Sequence, residues 1–459
     1  MHTALSAHPF RIELLPGTYT FRVEHGKEYF PEERQVEVSP TSSKLAFSLR
    51  RWTNMRSQGW FSGDTHNHRE PADLPVNQLA EDLNVALPMV DWTTVSTVPP
   101  TESGRGFKGS WSNAPVHIDA EHVWYPRNTE YEIFQTGTAN HTLGALVILN
   151  HQTRFSEPVL PLSRIAAKAH AEGALLDLEK HNWPWSVALV PAVKVDLFEL
   201  ANNHHWATEY AVRNWAVPAP TYMGLEGTGT DTERGWTLYG FQTYYALLNC
   251  GFRIHPTAGT ANGVHPVPLG FSRVYVHLEG PFSYDAWIKG LSAGRSFVTT
   301  GPMLTVKADD HWPGETLSPS TPGQVSRFRG EVLSEQPLES LELIFNGEVA
   351  MKLAPQNQRT AQQAFRTEIH QEVKTTGSGW VAWRCFETRP GGRVRFAHTA
   401  PWYVEQPSTP LRPRRAEAEW LVQRVQEEIQ RSERIAPSSL LQDYRKSLAH
   451  YQELLRTAR

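Results

Sequence analysis

The spacing of hydrophobic and polar positions changes character along the chain. Between residues 10 and 50 the period is two. In PGTYTFRVEHG the residues Tyr19, Phe21 and Val23 fall on one side, and RQVEVSP and KLAFSLR repeat the alternation. That pattern predicts small antiparallel β structure, a partial β-sandwich carrying no chemical motif. From about 52 to 301, short apolar runs alternate with helical ones. PLSRIAAKAHAEG predicts a helix closed by Gly173 and followed by a strand, ALLDLE; VKVDLFELANN predicts another strand. GFQTYYALLNCG puts Phe241, Tyr244, Tyr245 and Leu248 on one helical face, with Gly251 beyond the end. SYDAWIKGLSAGRS turns Tyr284, Trp287, Ile288 and Leu291 inward and stops at Gly294. Alternating β and α elements predict an α/β fold with a parallel sheet or barrel, in which ligands sit where strands end.

After Gly301-Pro302 the period returns to two. LESLELIFNGEVAMKL predicts a hairpin turning at Asn346-Gly347, and GWVAWRCFE and RVRFAHTAPWYVE predict strands. Residues 413 to 459 carry two apolar stripes at helical spacing, Leu421, Val422, Val425 and Ile429, then Leu441, Tyr444, Leu448, Tyr451 and Leu455. Such stripes pack onto the body or across a dimer, so a homo-oligomer formed through these helices is one expectation. The expected division is a β module over 1–51, an α/β unit over 52–301, a second β domain over 302–405 and a helical hairpin over 406–459.

Composition narrows the chemistry. At 459 residues the chain exceeds one ordinary core. A net charge of -4 gives no basic surface for nucleic acid, and no apolar run of about 18 residues offers a membrane span. The opening MHTALSAHPFRIELLPG lacks the pattern of a signal peptide, so the expected location is periplasmic or secreted if a signal was removed and cytoplasmic otherwise. Cys250 and Cys385 alone cannot form a disulfide framework or a cysteine zinc site. Any metal must therefore be held by imidazole and carboxylate, and the chain has 20 histidines.

The run WFSGDTHNHRE places Asp64, His66 and His68 at alternate positions, on one face of an extended strand. Other acids and histidines recur where strands should end: Asp91, Glu130 and Glu132, His141 and His151, His181, Glu199, His204 and His205, His255 and His265. Such a set suits Zn²⁺, with Mn²⁺ or Fe as alternatives. Trp92, Trp183, Trp185 and Trp206 lie close to these positions in sequence and favour an aromatic or sugar-like small-molecule substrate. No Gly-x-Ser-x-Gly and no reactive-cysteine context supports covalent catalysis.

GDTHNHR resembles the first motif of the PHP (polymerase and histidinol phosphatase) metallohydrolases. PLGFSRVYVH with SYDAWIKGLSAGRSFVTTGPML is similar to the closing segment of their CehA/McbA-like branch, whose namesakes hydrolyse the carbamate carbaryl. The resemblance spans about residues 56 to 303. It implies a distorted (β/α)₇ barrel with metal at the C-terminal strand ends, flanked here by β-sandwich modules and the helical hairpin. It also implies His66 and His68 as paired ligands with Asp64 ahead of them, Glu130 or Glu132 as the glutamate of the third motif, and His141, His181 and His265 as further ligands. Asp91-Trp92 stands where the family has Asp-His, and GTANGVH where it has a terminal Asp-His pair. One or two ions are therefore expected. The expected function is hydrolysis of an ester-type bond (phosphoester, carbamate or aryl ester) by water activated on the metal. Asp64 or His205 would shuttle the proton, with Asp64 alternatively orienting a ligand histidine, and Arg273 would either receive an anionic substrate group or, buried, hold the end of the sheet. The rival expectation is a catalytically degenerate extracellular module that binds glycan or protein.

Overall fold

The computed structural model describes residues 4–5, 9–41, 44–210, 217–225, 231–318, 325–375, 377–406 and 408–459. Much of the opening segment on which the signal-peptide reading rests lies outside them. Among the described residues the chain is a mixed α/β molecule with seven α-helices and several sheets. The strand Trp60–Asn67 lies in the largest sheet, parallel to Val85–Pro88 on one side and antiparallel to Arg273–His277 on the other. A six-stranded sheet runs in the order His255–Ala258, Leu197–Ala201, Leu175–Leu178, Ala139–Leu149, Thr129–Thr136, Asp91–Val95. The two sheets touch where Asn67 forms a bridge with Asn262, just past the end of His255–Ala258. No hydrogen-bonded ring closes among the described strands.

Local rules account for most elements. Helix Leu162–Ala171 ends before Gly173, whose φ of 72° suits a residue without Cβ. Helix Glu233–Asn249 starts at Thr232, whose hydroxyl accepts from the Gly235 amide. Helix Tyr284–Ser292 is capped in the same way by Ser283 and buries Tyr284, Trp287, Ile288 and Leu291. The hairpin Leu338–Phe345 with Glu348–Leu353 turns through Asn346 and Gly347, both at positive φ, as a two-residue turn requires.

Two expectations change, and one of two alternatives for the C-terminal helices is seen. The N-terminal region is a two-stranded ribbon, Gly17–Val23 with Glu32–Val38, and not a sandwich. KLAFSLR forms no strand: Leu45 stays 37% exposed, and the chain is instead tied back by the Phe30 amide on the Arg50 carbonyl. The division at 301 is crossed by a continuous sheet, because Ser296–Thr299 pairs with Arg393–Thr399. The C-terminal helices, Arg415–Ser432 and Ser438–Thr457, bury their stripes within the chain. Tyr451 and Ser447 donate to the carbonyls of Val187 and Ala188 on the body helix Ser186–Val193.

Candidate metal centre

Strand Trp60–Asn67 is buried along its whole length, and its even-numbered polar residues share one face. His66 and His68 bring their Nε2 atoms within 3.2 Å of each other. Glu130, from Thr129–Thr136, faces both, at 3.7 Å from His66 Nε2 and 3.1 Å from His68 Nε2. The opposite nitrogen of His66, Nδ1, lies 2.9 Å from Glu199 of Leu197–Ala201 and 3.6 Å from Glu179, just past Leu175–Leu178. Two groups able to hold a cation therefore share one imidazole: His66, His68 and Glu130, and His66, Glu179 and Glu199. Lys180 enters the same space, paired with Glu179 and 3.3 Å from Glu132.

The fit to a divalent cation rests on what these groups lack. Glu199 Oε1 and Glu179 Oε2 are buried with no hydrogen-bond partner, and Glu130 Oε2 has only the His68 ring beside it. Glu130, Glu179 and Glu199 are each at most 1% exposed. Burying several carboxylates around two imidazoles is costly unless a cation joins them. Burial pushes the Glu199 carboxyl up to about 8 and the His66 imidazole down to about 4, which leaves a neutral ring able to offer a lone pair. Burial also works on Glu130, but His66, His68 and Lys180 outweigh it and hold its carboxyl at about 2. Glu132 is shifted upward by burial, with Lys180 opposing.

The backbone around the histidines is clamped by the loop after His255–Ala258. Thr260 and Ala261 donate their amides to the His66 carbonyl, and the His68 amide donates to Asn262. A Cβ at Gly259 would lie 2.4 Å from that of His66, and one at Gly263 would lie 2.3 Å from the His68 carbonyl oxygen. This is the stretch GTANG, read above as the position of a terminal Asp-His pair. It supplies main-chain groups to both histidines.

Asp64 is a positioning residue. It accepts from the Thr260 hydroxyl at 2.5 Å, the Gly270 amide at 2.9 Å and the His66 amide at 3.1 Å, and burial raises its carboxyl to about 6. With its oxygens engaged it holds strand to loop, and a proton-shuttle role does not follow from this geometry.

Several expected site residues face other partners. Asp91 is taken by the Arg154 guanidinium at 2.5 and 3.0 Å. His141 lies under the C-terminal helix, its nitrogens 3.0 Å from the Ser432 hydroxyl and 3.0 Å from Arg431. His181 packs against Trp236 and Tyr239, with ring centroids 4.3 and 4.7 Å away. His205 contacts the Thr237 hydroxyl at 3.0 Å and the Asn202 carbonyl at 3.3 Å. His265 sits on the clamp loop with Asn203 3.0 Å from its Nε2. Arg273 is 1% exposed and donates to the Gly270 and Glu81 carbonyls, bracing the loop that holds Asp64. Glu132 reaches the cluster through Lys180.

Glu179 and Lys180 went unrecognised as site residues in the sequence, and Glu199 was seen only as a strand-end acid. A signal was present: LFELA and LLDLE each carry glutamate in or beside a leucine-rich strand, where a buried charge needs a partner.

Beside His68, the Trp92 ring centroid lies 4.6 Å from that of His68 with the two planes tilted by 50°, and the Arg105 guanidinium lies 5.0 Å from the Trp92 ring centre. Among the described residues no helix is long and apolar enough to cross a membrane. Compared with models of known families, with curated proteins and with solved structures, the chain matches none.

Proposed function

We propose that the chain is a metal-dependent hydrolase of ester-type bonds, centred on His66, His68 and Glu130. The observation that carries this reading is the convergence of two imidazole nitrogens and a buried carboxylate at one point. A borderline ion such as Zn²⁺ suits these donors, with Mn²⁺ or Fe as alternatives. When bound, such an ion supplies Lewis acidity, giving hydroxide at neutral pH and polarising a carbonyl or phosphoryl oxygen.

The chain's own groups do the rest. Glu199 accepts the His66 Nδ1 proton and fixes the ring so that Nε2 points at His68. Asp64 and the Thr260–Asn262 backbone fix the strand that carries both rings. Trp92 and Arg105 form a wall beside His68, suited to a substrate with a flat or partly anionic group. Parallel pairing of Trp60–Asn67 with Val85–Pro88, of Asp91–Val95 with Thr129–Thr136 and of Leu175–Leu178 with Leu197–Ala201 supports the distorted barrel of the PHP type.

The test is elemental analysis of untagged protein followed by assay on nitrophenyl phosphate, ester and carbamate substrates. The expected outcome is a bound transition metal and hydrolysis that a chelator abolishes. Protein that takes up no metal and cleaves none of the three sinks the reading and favours a binding module.

A further inference from the structure

The two donor groups at His66 raise the question of how many ions the centre takes. They use opposite nitrogens of one ring, Nε2 toward His68 and Glu130, and Nδ1 toward Glu179 and Glu199. A ring that gives Nε2 to a metal ordinarily keeps its Nδ1 proton for a carboxylate, and Glu199 stands 2.9 Å away to accept it. Filling both places with ions would demand an imidazolate bridge. The second place already has a cation. Lys180 is 3% exposed, pairs with Glu179 and lies 3.3 Å from Glu132. It adopts a φ of 51°, a conformation uncommon for a residue with a side chain, directly after the strand that delivers Glu179.

Resting on the reading of His66, His68 and Glu130 as a metal centre, we infer that the chain holds a single divalent ion on those residues. The Lys180 ammonium supplies the positive charge that a second ion would bring to Glu132, Glu179 and Glu199. Lys180 is thus a positioning residue that sets the metal count. Without it, three carboxylates face one space with no counter-charge and a second cation becomes favourable.

The experiment is a count of ions on the full chain loaded with Zn²⁺ and dialysed, by elemental analysis and native mass spectrometry, for wild type, Lys180→Arg and Lys180→Met. One ion is expected in wild type and in Lys180→Arg, and two in a folded Lys180→Met. Wild type with two ions overturns the inference while leaving the metal centre standing, and so does a folded Lys180→Met that still takes one. Wild type with none overturns the metal reading and this inference with it. Should Lys180→Met fail to fold, the paramagnetic spectrum of wild type loaded with Mn²⁺ decides. An isolated-ion signal supports a single site, and an exchange-coupled pair refutes it.

Discussion

Two buried clusters, both built on glutamate with histidine nearby, behave in opposite ways. Around Glu233, Arg393 donates at 2.9 and 3.0 Å, the Val394 amide donates at 2.7 Å and Arg395 approaches to 3.4 Å. Burial works against the charged form there, but the Arg393 hydrogen bond leads the contacts that hold the Glu233 carboxyl below its ordinary range. Around His66 the glutamates are as deeply buried, yet carboxylate oxygens of Glu179 and Glu199 lack hydrogen-bond partners, and Glu199 is shifted upward instead. The first cluster is complete as a piece of protein. The second becomes complete with a cation, and that difference separates a structural ion network from a site.

The largest effect expected on this contrast is in the second cluster. Replacing His66 and His68 together by alanine should remove metal binding, a drop of at least about a hundredfold in affinity given that outer partners alone are worth 10–100-fold. The circular dichroism spectrum should stay native. Retention of full metal by the double variant would break the assignment.

Glu233→Ala attacks the complete cluster. It leaves Arg393 without its carboxylate and should cost about 3 kcal/mol of stability in a denaturant titration. Metal affinity should be untouched. A loss of metal in a folded Glu233→Ala protein would mean that the two clusters are one site.

Glu199→Gln makes the reverse distinction. It should weaken metal binding by about 10–100-fold, because it loosens the His66 ring, while the metal-free protein melts no earlier than wild type. A metal-free melting point well below wild type would show that Glu199 is satisfied without an ion.

The pH response of the complete cluster can be read from His205, which burial pushes down to about 4. Its folded form stays neutral where the unfolded chain, titrating near 6.5, is already protonated. The unfolded state therefore gains a proton that the folded state refuses, and stability falls as pH drops from about 6.5 through 4. His205→Gln should flatten that acid limb by up to about 2 kcal/mol at pH 5, followed by melting temperature across pH. An acid limb of unchanged slope would assign the loss to other groups.

The smallest change tests a contact remote from both clusters. Tyr451→Phe removes the 2.7 Å hydrogen bond to the Val187 carbonyl and should cost about 1 kcal/mol, with metal binding intact. Altered metal affinity would show that the C-terminal helices reach the centre.

The sequence by itself determined the local elements. Strand period, the Thr232 and Ser283 caps, Gly173 and the Asn346-Gly347 turn depend on neighbours a few residues away, so they are legible in a short window. The pairing of His66 with His68 lies close to them, since the two are two residues apart, although His68 stands just past the strand end and is held there by the Asn262 carbonyl. Which distant groups join that pair was decided by tertiary structure. Glu130, Glu179 and Glu199 come from three separate strands or the residue just past one, and nothing in the spacing distinguishes them from Asp91, His141, His181 or His205. Those four occupy comparable sequence contexts, yet Arg154, Ser432 with Arg431, Trp236 with Tyr239, and Thr237 sit where their side chains point. A buried polar group takes whichever partner the packing brings within reach. That choice is long-range, so it could be read only once the chain was folded.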